Sequence, residues 1–297
     1  MNDAKFLESE IRRIIKVWDA LAPPLRPSIY DIELYDRGLK DKKNSRILVQ
    51  GATPELIDLA LRKNASRIIA MSWETAYLPA MRHFGSLDWT RVEAFINDWR
   101  LFIPELKESL DVVLGDGTLT LLTFPQEWEL VLQHLHQYLV PGGHVILRLS
   151  FQPEEPFDLD LYMKETLSRL DAECSGAESE QRLELLRNVV SEIRIAFGVG
   201  AAETMGFVDL DRRADWVRFF HAEFTARFGK CREWDIVRIG MPKEEAVRNG
   251  KEAGKAVPRW DEAAELIEEC GFRVRDVKLS GTRPAPGVMR LFSADRI

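Results

Sequence analysis

The feature that most constrains this chain is a rhythm: between Arg46 and Leu149, short apolar runs alternate with helix-patterned stretches. The runs lie at Ile47-Leu48-Val49, Ile68-Ile69-Ala70-Met71, Val92 to Phe95, Val112-Val113-Leu114 and Gly143 to Leu149. Between them, the residues after Gly51-Ala52-Thr53-Pro54 through Arg62, Glu74 to His83, and Gln126 to Tyr138 carry helical spacing. Short runs in which apolar residues dominate suit the strands of a sheet covered on both faces. Strands alternating with helices predict a parallel sheet covered on both sides, with right-handed crossovers.

The flanks complete the expected architecture. Phe6, Leu7, Ile11, Ile14, Ile15, Trp18 and Leu21 fall close to helical spacing, and Pro23-Pro24 stops that helix. Ala22 to Ser28 is expected to run extended, with a second short helix from Ser28 to Leu39. Residues 1–44 thus read as an N-terminal helical arm. Residues 151–258 break the alternation with helical stretches at Leu159–Ala172, Glu178–Phe197 and Arg212–Phe228, and read as a helical insertion or cap. The alternation then returns with a helix over Trp260–Glu269 and strands over Arg273–Leu279 and, after Pro284-Ala285-Pro286-Gly287, Val288–Ser293. The expected fold is therefore α/β: a doubly wound, mostly parallel seven-stranded sheet formed by residues 45–150 and 259–297, with helices on both faces.

Composition narrows the partners. A net charge of −7 argues against a broad nucleic-acid footprint, which needs clustered Lys and Arg. No apolar stretch approaches the roughly 20 residues of a membrane span, and the start, Met1-Asn2-Asp3-Ala4-Lys5, lacks the pattern of a signal peptide. Cys174, Cys231 and Cys270 are scattered, without metal or disulfide spacing. A cytoplasmic protein without nucleic-acid or membrane partners is expected, and a homodimer is left open. The five histidines show no metal-ligand spacing. Asp158-Leu159-Asp160 and Asp209-Leu210-Asp211 read as helix starts, so no metal is expected.

Chemistry is expected at the first strand-to-helix turn, because open parallel sheets bind ligands beyond the carboxyl ends of their strands. Gly51 lets the backbone approach a ligand; Thr53 suits an N-cap and Pro54 the first helical position. The free N–H groups of such a helix favour an anion. The bland alternative is a turn that merely starts a helix.

Three segments together resemble the core of the class I S-adenosylmethionine-dependent methyltransferases. They are Ile47-Leu48-Val49-Gln50-Gly51-Ala52-Thr53-Pro54-Glu55, Asp111-Val112-Val113-Leu114-Gly115-Asp116-Gly117, and Leu135 to Leu147 with its Leu139-Val140-Pro141-Gly142-Gly143 turn. The tail from Glu265 to Phe272 also looks like the end of that fold. The resemblance implies S-adenosyl-L-methionine as cofactor, held by Gly51, Ala52, Thr53 and Pro54, with Ser72 where the family places its ribose-binding acid. It also implies that Asp98 accepts from the adenine amino group and that Trp73 or Trp99 covers the ring. Asp116 follows the fourth strand, where methyl and acceptor meet, and could position the acceptor or take its proton. Arg148 and Arg26 are the candidate substrate-binding residues. The sequence departs from the family at Val49, Thr53, Glu55 and Ser72, where an acid, two glycines and a second acid are usual.

These observations favour methyl transfer to a small-molecule acceptor enclosed by the insertion. A non-catalytic scaffold on a degenerate methyltransferase fold would account for the departures. A nucleotide-dependent oxidoreductase would be expected to carry a fuller dinucleotide fingerprint.

Overall fold

A computed structural model describes residues 3–154, 158–200, 210–229, 257–280 and 289–297. Cys231, Asp209 and the Pro284–Gly287 segment lie outside the described residues. Helices α1 (Asp3–Ala20) and α2 (Ile29–Gly38) precede the alternating core: β1 (Arg46–Gln50), α3 (Pro54–Arg62), β2 (Arg67–Ser72), α4 (Tyr77–Arg82), β3 (Val92–Ile96), β4 (Leu110–Asp116), α5 (Gln126–Tyr138) and β5 (Leu139–Ser150). Then come α6 (Leu159–Cys174), α7 (Ser179–Gly200) and α8 (Leu210–Phe228), followed by α9 (Trp260–Glu269), β6 (Phe272–Leu279) and β7 (Met289–Arg296).

The seven strands form one sheet in the order β3-β2-β1-β4-β5-β7-β6. The first five are parallel, and β7 runs antiparallel to both β5 and β6. The order reverses at β1: the chain moves outward through β2 and β3, then returns to place β4 on the other side of β1. A crevice is expected where those two strands diverge.

Strand side chains alternate between two cores, as the two-residue period of a strand requires. Ile47, Val49, Ile68, Ala70, Val112, Leu114 and Ile146 pack under α1 to α4. Leu48, Ile69, Met71, Val113, Val145 and Leu147 pack on the opposite side with α5 and α9. A third cluster, including Met163, Leu167, Val189, Ile193, Phe220 and Phe224, binds α6, α7 and α8 to one another. The insertion therefore buries its own apolar faces. No described helix is long and apolar enough to cross a membrane.

Three local differences from the sequence expectation have clear causes. The segment after α1 is not extended throughout, because Leu25 N–H donates to Ala22 C=O at 3.0 Å and closes a turn. Helix α4 begins at Tyr77 rather than Glu74; Pro79, which has no N–H, then falls in the first turn, where none is needed. Strand β5 starts at Leu139, before the Pro-Gly-Gly turn, and pairs with β4 through a register shift between Leu110 and Val112.

Helix α2 begins with a capping box. Ser28 Oγ accepts from Asp31 N–H at 3.1 Å, and Asp31 Oδ2 accepts from Ser28 N–H at 2.8 Å. This cap fixes where the N-terminal arm meets the sheet.

Candidate active site at the switch point

Strand β1 ends at Gln50, and the chain turns through Gly51 (φ +90°) and Ala52 (φ +55°) into α3. Thr53 occupies the N-cap position, but its side chain makes no capping bond; Pro54 opens the helix as expected. The turn is tightly covered. A methyl group built on Gly51 would lie 2.9 Å from Thr118 Cγ2, and one on Gly115 would lie 2.9 Å from Thr118 Oγ1. Thr118 thus bridges the ends of β1 and β4.

Four polar atoms around this turn are buried without a hydrogen-bond partner: Gln50 Oε1, Glu55 Oε2, Trp99 Nε1 and Thr118 Oγ1. Buried polar groups are nearly always paired, so these four atoms have hydrogen-bonding capacity that the protein's own groups leave unused. Three of the four are acceptors or can accept, and Trp99 donates only.

The aromatic and acidic residues expected to line the site fall around β2 and β3. Ser72 is buried at the end of β2, and its Oγ accepts from Glu74 N–H at 3.3 Å. The Trp73 and Trp99 rings stack on each other, centroids 5.3 Å apart and 9° from parallel. Trp99 is buried, whereas Trp73 is 41% exposed. Asp98 accepts from Arg100 Nε at 2.9 Å and Nη2 at 2.6 Å. That hydrogen bonding holds its carboxyl below the usual range despite partial burial.

The deepest part of the site is an ionic network. Arg148, 1% exposed, donates through Nε to Asp116 at 2.6 Å and through Nη1 to Pro24 C=O at 3.0 Å and Ser280 Oγ at 3.2 Å. Ser280 donates to Asp31 Oδ1 at 2.6 Å, and Asp31 Oδ2 lies 3.7 Å from the guanidinium. Tyr35 closes the cluster by donating to Gly115 C=O at 2.6 Å. Burial pushes the Asp116 carboxyl upward, against the opposing pull of Arg148. Arg148 nonetheless stays charged: burial disfavours its cation, but Asp116 and Asp31 more than compensate. The guanidinium expected to meet a substrate is therefore turned inward, where it locks arm, sheet and C-terminal strands together.

Arg26 sits nearer the surface. Its guanidinium donates to Glu55 Oε1, with Nε at 2.9 Å, and lies 5.4 Å from the centre of the Trp18 ring. Both partners of that pair keep some contact with solvent, at 25% and 21% side-chain exposure. The insertion reaches the same arm, since Ala22 N–H donates to Ser191 Oγ of α7 at 3.0 Å.

The structure thus gathers Gly51, Ala52, Thr53 and Pro54 with Asp116, Arg148 and Arg26 at one end of the sheet, and sets Ser72, Trp73, Asp98 and Trp99 along its β2–β3 side. Gln50, Thr118, Asp31, Tyr35 and Ser280 join them without having been expected. Gln50 carried a signal, as a polar residue closing an otherwise apolar strand. Asp31 and Ser280 carried none, because they meet across 249 residues. Two surface grooves, of about 340 Å³ between α2 and α3 and about 280 Å³ beside Gln152 and Trp260, lie away from this turn. Among the described residues, no three His, Cys, Asp or Glu side chains gather as a metal site would require.

The fold so defined is a doubly wound, Rossmann-like α/β sheet whose last strand runs antiparallel to its neighbours. No family model matches the chain, and no curated protein matches it. Solved structures resemble it in fold. One, described as a zinc-dependent alcohol dehydrogenase from Rhodobacter sphaeroides, is 15% identical, with 96% of this chain and 98% of that one covered and a TM-score of 0.51. An S-adenosylmethionine-dependent methyltransferase from Mesorhizobium loti is also 15% identical, with 89% and 96% covered and a TM-score of 0.48. Magnesium protoporphyrin IX methyltransferase from Synechocystis PCC 6803, solved with bound SAH, is 11% identical, with 90% and 82% covered and a TM-score of 0.47. Identities this low speak of fold and assign no activity.

Proposed function

We propose that the protein is an S-adenosylmethionine-dependent methyltransferase that acts on a small-molecule acceptor by direct methyl transfer. The observation that carries this reading is the set of four partnerless polar atoms around Gly51, at the point where β1 and β4 diverge. An adenosyl amino acid offers what those atoms lack: an ammonium and ribose hydroxyls for the acceptors, and an aromatic base for the open face of Trp73. Gly51, Ala52, Thr53, Pro54, Ser72, Trp73, Asp98 and Trp99 would hold it. When bound, the cofactor supplies an already activated methyl group.

The chain then has to position the acceptor and exclude water. The Ala22–Arg26 segment meets Arg148 through Pro24, Glu55 through Arg26, and Ser191 of α7 through Ala22. These contacts support a small, enclosed acceptor rather than a polymer. Asp116 is our candidate for orienting the acceptor or taking its proton. Burial pushes its carboxyl upward, which favours proton uptake, while Arg148 fixes its orientation.

One observation favours a second reading. Thr118 against Gly51, the Trp73–Trp99 stack and the Arg26–Glu55 pair fill much of the crevice with the protein's own side chains, as a non-catalytic scaffold would. Calorimetry of the full chain with S-adenosylmethionine, S-adenosylhomocysteine and NADH separates the readings. Micromolar binding of the adenosyl ligands is expected. Binding of NADH alone would point to an oxidoreductase, and silence from all three to the scaffold.

A further inference from the structure

The position of Glu55 poses a problem of charge. It lies in the first turn of α3, whose partial positive end stabilises an anion. On the methyltransferase reading that place would otherwise suit a ligand carboxylate. Glu55 fills it with a carboxylate of the protein's own, and Arg26 neutralises only one side. Glu55 Oε1 accepts from both Nε and Nη2 of Arg26, whereas Oε2 is buried with no partner. Two further partnerless groups lie close by. Gln50 and Thr118 are each 1% exposed, and both approach Gly115: a methyl group built there would lie 3.7 Å from Gln50 Oε1 and 2.9 Å from Thr118 Oγ1. The other nearby acid, Asp116, is already held by Arg148.

We propose that Arg26 and Glu55 form a preassembled receptor for the zwitterionic α-amino-acid end of the ligand, exchanging their mutual ion pair for two pairs with it. Arg26 takes the ligand carboxylate, for which its planar fork is matched. Glu55 takes the ammonium, with Gln50 Oε1 as a further acceptor. The exchange conserves charge: one internal pair is replaced by two intermolecular pairs, and no charge is left alone. It needs a swing of Arg26, whose side chain is 25% exposed while its guanidinium lies 5.4 Å from the centre of the buried Trp18 ring. This assignment rests on the methyltransferase reading and deepens it, because it gives Glu55, which stands where a glycine is usual, a role of its own.

The test pairs protein variants with truncated ligands in calorimetry on the full chain. S-adenosylhomocysteine carries the whole zwitterion, decarboxylated S-adenosylmethionine keeps only the amine, and 5′-methylthioadenosine has neither. Arg26→Ala is expected to weaken S-adenosylhomocysteine at least tenfold, to leave methylthioadenosine within twofold, and to leave decarboxylated S-adenosylmethionine equal or tighter, because Glu55 is then freed from its internal partner. Glu55→Gln is expected to weaken both amine-bearing ligands at least tenfold and to spare methylthioadenosine. Arg26→Lys keeps a charge without the fork and should fall between wild type and Arg26→Ala. Far-UV circular dichroism and a thermal melt establish that each variant is folded, and if Arg26→Ala fails, Glu55→Gln and Arg26→Lys carry the test. Tight S-adenosylhomocysteine binding that ignores these substitutions, or equal losses for all three ligands, overturns the receptor while the cofactor reading stands. A wild-type protein that binds no adenosyl ligand overturns both.

Discussion

Replacing Arg148 by Met keeps an unbranched side chain in the same space but removes the cation that Asp116 and Asp31 share. All three groups are shielded from water, with side-chain exposures of 1% for Arg148, 5% for Asp116 and 0% for Asp31. Breaking a buried ion pair from one side costs about 3–5 kcal/mol, because the remaining charge is stranded. Against a typical total of about 5–15 kcal/mol, that is a large share. Urea unfolding at pH 7 should therefore show a midpoint moved far toward lower urea, with Asp116→Asn in the same background recovering a substantial part of the loss. The pH dependence has a definite sign. Burial raises the Asp116 carboxyl in the folded state, so the native protein holds that proton more tightly than the unfolded chain. Its stabilising contribution is present below the unfolded value of about 4 and is lost as pH rises through the folded value. Without Arg148 the folded value climbs further. The Arg148→Met deficit should thus widen as pH rises above about 4 and shrink toward it. A deficit under about 1 kcal/mol that does not change with pH, and that Asp116→Asn does not relieve, would show that the network is not the buried ionic lock described above.

Further outcomes follow from individual contacts. Gly51→Ala should lose roughly 1–2 kcal/mol for the left-handed backbone alone, plus the cost of a methyl group 2.9 Å from Thr118 Cγ2. Adding Thr118→Ser should return the second part only, and full recovery in urea melts would contradict the dihedral argument. Trp89 Nε1 donates to buried Asp58 Oδ1 at 2.8 Å, so Trp89→Phe should cost about 1–3 kcal/mol by stripping that acceptor; an unchanged melting temperature would argue against it. Burial lowers the His144 pKa even though Asp295 Oδ1 lies 2.7 Å from Nδ1. The unfolded chain then takes up the proton first, so His144 should withdraw stability as pH falls through about 6.5. His144→Gln should flatten that slope, and a histidine titration by NMR above 6.5 would refute the sign.

The strands and helices of the core were legible in the sequence because their signals are local. Ile47-Leu48-Val49 and Ile68 to Met71 are too apolar to face water on either side. Trp260–Glu269 begins and ends where its spacing predicts. Errors came where one backbone property outweighed periodicity: the missing N–H of Pro79 shortened α4, and the glycines after Pro141 were absorbed into β5. The turn at Gly51 was legible as the first strand-to-helix turn, with Pro54 opening the helix.

What each of those residues touches is another matter. Sequence alone determined the α/β alternation and the helical stretches that follow β5, since both depend on neighbours a few positions apart. Only the tertiary structure decided that Arg148 faces inward between Asp116 and Asp31, that Trp73 and Trp99 cover each other, and that Arg26 meets Glu55. The reason is physical: a charge or ring takes its role from the groups that desolvate and pair with it. Here those groups arrive from Pro24, Ser280 and the far side of the switch point.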